Sequence, residues 1–270
     1  MPNSESESSQ QMFLDEIWRF PVKGFAGEQL QHIDAIAGQL LPHDREYALT
    51  TGHPKSHQRL AEGWLPKRHF LQLLSEARLA GLEIRFDSSR QTLSLFENRE
   101  ILATAPANDR ASLSQALFKR MPEAFSQPPL LCRLDSGGYS DTAAPWISLG
   151  GSASLDAFAS LTGTQTAASR FRLNLIIRTD TPFIEQSWAG QTLTIGEVEL
   201  EVIEPVGRCG AISVNPHTGI RERDYLPEME QAWGHTDLGM FARICKSGSL
   251  QKGTAVSIKK QRPKPLFSIC

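Results

Sequence analysis

The sequence predicts a mainly β fold with a few helices, α+β in class, and three observations carry that prediction. Apolar and polar residues alternate over short runs. The clearest case is Val198, Leu200 and Val202 against Glu197, Glu199 and Glu201, which has the period of a strand with one wet face. Gly, Pro, Asn and Asp punctuate such runs at short intervals. Helical 3/4 spacing is confined to a few segments.

The N-terminal residues MPNSESESSQQ are acidic, serine-rich and poor in apolar side chains. Residues 1–11 are therefore expected to be a disordered tail. They have no basic n-region and no apolar h-region, so they do not form a secretory signal. Ile17, Trp18, Phe20 and Val22 make a strand-like run, in which Pro21 marks an edge or a bend. Lys23-Gly24 follows at its end. A second run, residues 47–50, comes just after Asp44-Arg45. Residues 66–81 are predicted to be a helix, from Phe70, Leu73, Leu74, Ala77 and Ala80, with Gly81 as the stop. Residues 82–86 and 92–96 alternate around Asp87-Ser88-Ser89-Arg90 and predict a hairpin.

Asn108 or Asp109 is placed to cap a helix carrying Leu113, Leu117 and Phe118, which Met121-Pro122 ends. Pro128-Pro129 and Gly137-Gly138 mark loops. Residues 152–161 form the next expected helix. Ser152 or Ser154 is its cap, Asp156 falls in the first turn and Gly163 follows. Residues 172–177 predict a buried strand, and residues 193–198 a hairpin turning at Gly196-Glu197. Residues 238–245 and 250–258 predict closing strands joined through Ser247-Gly248-Ser249. The C-terminal KKQRPKPLFSIC is basic and is expected to be a tail.

Composition narrows the functional class. The 270 residues are 40% hydrophobic and 21% charged, with a formal net charge of -2. This is ordinary globular chemistry, and it argues against a nucleic-acid partner. No apolar run approaches the roughly 20 residues of a membrane helix, so a cytoplasmic protein with no membrane partner is expected. Cys132, Cys209, Cys245 and Cys270 are too widely spaced for a CxxC or zinc-ligand pair. The histidines make no HExxH, and there is no GxxxxGK[ST], GxGxxG or GxSxG.

Two features remain. Cys209 sits just past the end of the alternating strand, beside the guanidinium of Arg208. A thiol so placed can be held as thiolate, the form that attacks or binds metal, or it can be a small buried apolar residue. Lys23, Arg45, Asp141, Arg170, Arg172, Asn174 and Arg208 stand at strand ends or in loops. Basic side chains of that set converging on one pocket would favour an anion, a phosphate above all.

Several blocks, in this order, resemble the MOSC domain. They are SRFRLNLII from Ser169, Pro182-Phe183 with Glu185 and Trp188, LTIGEVEL from Leu193, PVGRC from Pro205, NPHTG from Asn215, LGMFAR from Leu238 and GSLQKG from Gly248. IWRFPVKG from Ile17, Asp44-Arg45 and GWLPKRHF from Gly63 are similar to the β-barrel-like domain that often precedes it. Together they resemble the family of the mitochondrial amidoxime-reducing component and its bacterial relatives. The resemblance implies a MOSC β-barrel over residues 109–262, preceded by a smaller β-barrel-like domain over residues 12–108 and followed by a tail, residues 263–270.

It also implies a molybdenum cofactor (molybdopterin) and an oxidoreductase that reduces small N-hydroxylated compounds. Cys209 would be the catalytic residue and the metal ligand. Lys23, Arg45, Ser140, Asp141, Arg172, Asn174 and Arg208 would bind the cofactor. With no cysteine cluster for an iron–sulfur centre, an external donor, ferredoxin- or flavin-reductase-like, is implied. The alternative is a sulfur carrier holding a persulfide on Cys209. Without a pyridoxal-phosphate desulfurase domain, that carrier would take its sulfur from a partner donor. The chain departs from the family pattern at Gly24, Leu173, Gly207, Asn215 and Phe241, where hydroxyl, carboxylate or proline residues are usual.

Overall fold

The computed structural model describes residues 11–109, 111–165 and 168–259. In chain order these form β1 (Met12–Arg19), β2 (Glu28–Leu30), β3 (His32–Ala35), β4 (Tyr47–Leu49), α1 (Pro54–Gln58), β5 (Leu82–Asp87), β6 (Thr92–Glu97), β7 (Glu100–Pro106), α2 (Ser112–Arg120), β8 (Leu131–Arg133), β9 (Ile147–Gly151), α3 (Ser152–Thr162), α4 (Ala168–Phe171), β10 (Leu175–Arg178), β11 (Thr192–Ile195), β12 (Val198–Gly207), α5 (Leu226–Trp233), β13 (Asp237–Lys246), β14 (Gly248–Gln251) and β15 (Ala255–Lys259). The expected tails, residues 1–11 and 263–270, lie outside the described residues except for Gln11. Cys270 lies outside them as well.

Seven strands close into a barrel in the order β10-β9-β13-β12-β11-β15-β1, with β1 returning to β10. Closure leaves no open edge. The alternation at Glu197–Val202 has its physical meaning here. Val198, Leu200 and Val202 are fully buried inside, with Leu14, Ile17, Leu149, Ile177, Leu193 and Met240, because inward and outward positions alternate along every barrel strand. The β9–β10 pair is parallel, so its connection must cross over, and α3 and α4 do this. β2 pairs with β1 as an eighth strand of the same sheet, and the remaining strands form smaller sheets: β5-β6-β7, β4-β8 and β14-β3. A second core joins β5, β6 and α2 through Leu82, Ile84, Leu93, Leu95, Leu113 and Leu117.

The mainly β expectation therefore holds, as a closed barrel with smaller sheets and a minority of helix. The division proposed at residues 108 and 109 is crossed by β1, which pairs with β10 and β15. The hairpins at residues 82–97 and 192–198 form with Ile84 opposite Leu95 and Ile195 opposite Val198.

Four local expectations are corrected. Residues 66–81 are not one helix but two short 3₁₀ turns, Lys67–His69 and Ala77–Gly81. Between them Phe70 is extended and bridges Thr50, and Leu71 donates its N–H to the Leu49 carbonyl at 2.8 Å. An edge carbonyl thus takes the donor that a helix would have used. The strand predicted from residue 172 begins at Leu175, because Arg172 has left-handed backbone, φ 54°. Neither Ser152 nor Ser154 caps α3. Gly151 is the N-cap, while Ser152 Oγ donates to the Thr179 carbonyl and Ser154 Oγ to Glu185; Asp156 falls beyond the first turn. The closing segment after Ser247 divides into β14, which pairs with β3, and β15, which returns to the barrel. No helix among the described residues is long and apolar enough to cross a membrane.

Candidate functional site

β12 delivers Cys209. Its pairing with β13 shifts register between Val202 and Pro205 and again between Pro205 and Gly207. Pro205 has no N–H to give the ladder, and such irregularities re-aim the chain at a barrel rim. The chain then leaves the sheet at Arg208, and Cys209 opens a 3₁₀ turn, Gly210–Ser213. Cys209 is partly exposed, and neither it nor Cys132 or Cys245 is in a disulfide.

One cavity gathers all eight residues anticipated from the sequence: Lys23, Arg45, Ser140, Asp141, Arg172, Asn174, Arg208 and Cys209. Sequence reasoning missed Lys67 and Trp146, noted Phe241 only as a departure from the resembled pattern, and left Arg170 outside the cofactor set; all four line the same cavity. Lys67 stood in the GWLPKRHF block, so that block was the signal for it. The lining carries six basic side chains and one carboxylate among the described residues, a surplus that favours an anion.

The cations differ in what engages them. Lys23 Nζ donates to Asp141 Oδ1 at 2.6 Å and to the Tyr139 carbonyl at 2.8 Å. Lys67 approaches the other Asp141 oxygen at 3.7 Å. Burial lowers the Lys23 ammonium, while Asp141 acts to raise it. Burial acts to raise the Asp141 carboxyl, but Lys23, with Lys67 and Arg45, outweighs it and holds the group at about 2.

Arg45 pairs with Asp44 and donates from Nη2 to the Arg172 carbonyl at 2.9 Å. Both arginines have left-handed backbone, φ 54° each, which is uncommon for residues with a Cβ. Both guanidinium groups lie over Phe20, at 4.8 Å and 4.4 Å from the ring centre. Burial first, and then Arg45, pushes the Arg172 guanidinium down to about 9. Burial pushes Arg208 down to about 10. Both remain cations at neutral pH.

Arg208 and Asn174 are tied to the protein itself. Arg208 Nε donates to the Leu238 carbonyl at 2.8 Å and Nη1 to the Phe171 carbonyl at 2.9 Å. Asn174 is buried. Its Oδ1 accepts from the Ser148 amide and hydroxyl, each at 3.1 Å, and its Nδ2 donates to the Trp18 carbonyl at 3.2 Å. Ser140 Oγ donates to the Thr142 carbonyl at 2.6 Å. Arg172 is different. Its Nη1 donates to the Phe25 carbonyl, while its buried Nη2 has no partner among the described residues. A buried donor without an acceptor is costly unless something supplies one.

Gly24, a departure from the family pattern, has a local reason. Its φ is 86°, and a Cβ there would stand 2.6 Å from the Leu71 carbonyl oxygen. No side chain fits between Lys23 and the residue 71 backbone.

Comparison with known proteins follows the same line. Residues 145–257 match the MOSC domain family. The chain is 31% identical over 108 residues to molybdenum cofactor sulfurase of Danio rerio, covering 39% of this chain and 11% of that protein. It is 30% identical over 136 residues to mitochondrial amidoxime-reducing component 1 of Danio rerio, covering 47% of this chain and 41% of that protein. The YUAD protein from Bacillus subtilis aligns with a TM-score of 0.47 at 11% identity, over 94% of this chain and 98% of the other. Residues 145–257 are thus similar to the MOSC domain, and parts of the chain are similar to the two sequence relatives at 30–31% identity. The chain spans less than half the length of either of the two sequence relatives.

Proposed function

We propose that the cavity binds a molybdenum cofactor through Cys209 and its surrounding cations, and that the protein reduces small N-hydroxylated compounds. The observation that carries this reading is Cys209 on the wall of a pocket with a surplus of buried positive charge. A soft thiolate suits such a metal better than magnesium or calcium. Among the described residues, no group of three or more His, Cys, Asp or Glu stands ready to hold a metal. A metal at Cys209 would take its other ligands from the cofactor.

The residues present fit a phosphate-bearing pterin. The unpartnered Arg172 Nη2 offers a donor, Lys23 and Lys67 offer point charges, and Arg45 offers a guanidinium. Arg208 and Asn174 would act one step away, by fixing the carbonyls and the arginine around which the pocket is built. When bound, the cofactor would supply two-electron chemistry at the N–O bond. The chain's own residues would neutralise the anion, orient it and present the thiolate. The net change is replacement of N–O by N–H, with two electrons from an external ferredoxin- or flavin-reductase-like donor, two protons, and release of water.

Partial exposure of Cys209 and the sulfurase relative also support a second reading, a persulfide carried on that thiol and supplied by a partner. One experiment separates the two. Protein from a host that makes the cofactor is assayed for metal and for cyanide-releasable sulfur, with Cys209→Ala alongside. Stoichiometric molybdenum that disappears in the variant is expected. Releasable sulfur without molybdenum supports the carrier instead. A molybdenum-loaded protein that, with a competent donor, reduces neither benzamidoxime nor a hydroxylaminopurine ends the reductase reading.

A further inference from the structure

Trp146 and Phe241 line the Cys209 cavity without belonging to its cationic set. Trp146 immediately precedes β9, and Phe241 lies on β13 opposite Ser148 of β9. The neighbours of Phe241 on its own strand, Met240 and Ala242, are fully buried in the barrel. Alternation therefore turns Phe241 outward, toward the cavity. The two rings are 5.8 Å apart at 43°, and both residues are partly exposed. Arg45 and Arg172 cover Phe20, and Arg208 covers Phe171. Among the described residues no guanidinium lies over Trp146 or Phe241. These two rings of the cavity lining thus carry no stacked guanidinium, while the cations stack on Phe20 and Phe171.

Resting on the reductase reading above, we propose that Trp146 and Phe241 form the specificity wall of this cavity, selecting substrates whose N-hydroxyl group is borne on a planar aromatic or heteroaromatic framework. A third ring can meet an uncovered aromatic pair by offset stacking or edge contact and remove both from water. A small aliphatic hydroxylamine would leave the pair wet and gain nothing from it. The cations have the opposite preference and hold the anionic cofactor, so the two walls divide the ligands by charge. The chemistry is the same two-electron, two-proton cleavage of N–O to N–H and water, with the electrons from the external donor.

The test uses the full chain loaded with cofactor, with benzamidoxime and hydroxylamine as paired substrates. Trp146→Ala and Phe241→Ala are each expected to raise the KM for benzamidoxime on the order of tenfold. Hydroxylamine kinetics and molybdenum content should stay as in the parent, and Trp146→Phe should recover most of the loss. Equal changes for both substrates, or none, overturn the proposal. Loss of molybdenum in the alanine variants overturns it too, because the rings would then hold the cofactor. Equilibrium dialysis of benzamidoxime without donor separates this proposal from the reductase reading. Binding to the parent that weakens in both alanine variants upholds the wall even where turnover is absent. Equal binding, or none to the parent, overturns it.

Discussion

Lys23 Nζ and Asp141 Oδ1 stand 2.6 Å apart across a sequence separation of 118 residues. The pair joins the end of the first apolar run to the loop before β9, on the wall of the cavity that holds Cys209. Lys23 is 7% exposed, so its charge depends on this partner.

The pair has a defined pH signature. Asp141 is held at about 2, below its ordinary 3.8. A carboxyl depressed in the folded state contributes stability that is present above the unfolded value and lost as pH falls through the folded one. Asp141→Asn should therefore lower the urea midpoint by a constant amount above about pH 5. The gap to the parent should close between about pH 4 and pH 2. Urea titrations of both proteins across that range check it.

His57 and His69 give a second window, with the other form favoured. Burial lowers both imidazoles, and Arg59 and Arg68 add to the effect at His69. His57 lies 2.8 Å from Thr50 Oγ1, and His69 Nε2 faces Arg59 at 3.2 Å. The folded protein favours the neutral form of both, so this contribution to stability is present above the ordinary value of 6.5 and is lost as pH falls through the lowered folded values. Chemical denaturation at pH 7.5 and pH 5.5 should show the decline. His69→Gln should reduce it.

Arg172 and Arg208 separate by function. Arg208→Ala removes the donors to the Leu238 and Phe171 carbonyls and should cost about 2–3 kcal/mol of folding stability. Arg172→Gln keeps a donor but removes the charge, and should chiefly reduce retention of an anionic ligand. Tungstate or inorganic phosphate binding by calorimetry, beside urea unfolding, distinguishes the two losses. A large stability loss in Arg172→Gln with unchanged anion binding would reverse this division.

Glycine substitutions test the backbone of the site. Gly24→Ala places a Cβ 2.6 Å from a carbonyl oxygen at positive φ and should destabilise by about 1–3 kcal/mol. Gly207→Ser should be tolerated, because its Cβ would meet only Asp237 Oδ1, at 3.5 Å. Thermal midpoints of the two variants should differ in that order.

Much of the local architecture was legible. The hairpins at residues 82–97 and 192–198 followed from alternation and turn chemistry, and the strand end that presents Cys209 followed from Glu197–Val202. The helix expected at residues 66–81 failed because Leu71 found a distant carbonyl, Leu49, rather than one four residues back. Arg170, Lys67, Trp146 and Phe241 belong to the cavity for tertiary reasons. Lys67 was seen only as part of a motif block, and nothing around Trp146 distinguishes a cavity wall from a core ring.

The sequence by itself determined some of the strands and turns, those of residues 82–96 and 193–202 among them, and that a cysteine follows Arg208 at a strand end. These are local properties, set by the two-residue period of β structure and by Gly and Pro backbone preferences. Only the tertiary structure decided that β1 closes the barrel against β10, and that Lys23, Arg45, Lys67, Asp141 and Arg172 meet around Cys209. A charged side chain carries no record in sequence of which distant charge it will face. That is fixed when the barrel and the second core pack, and burial then makes each charge depend on its partner.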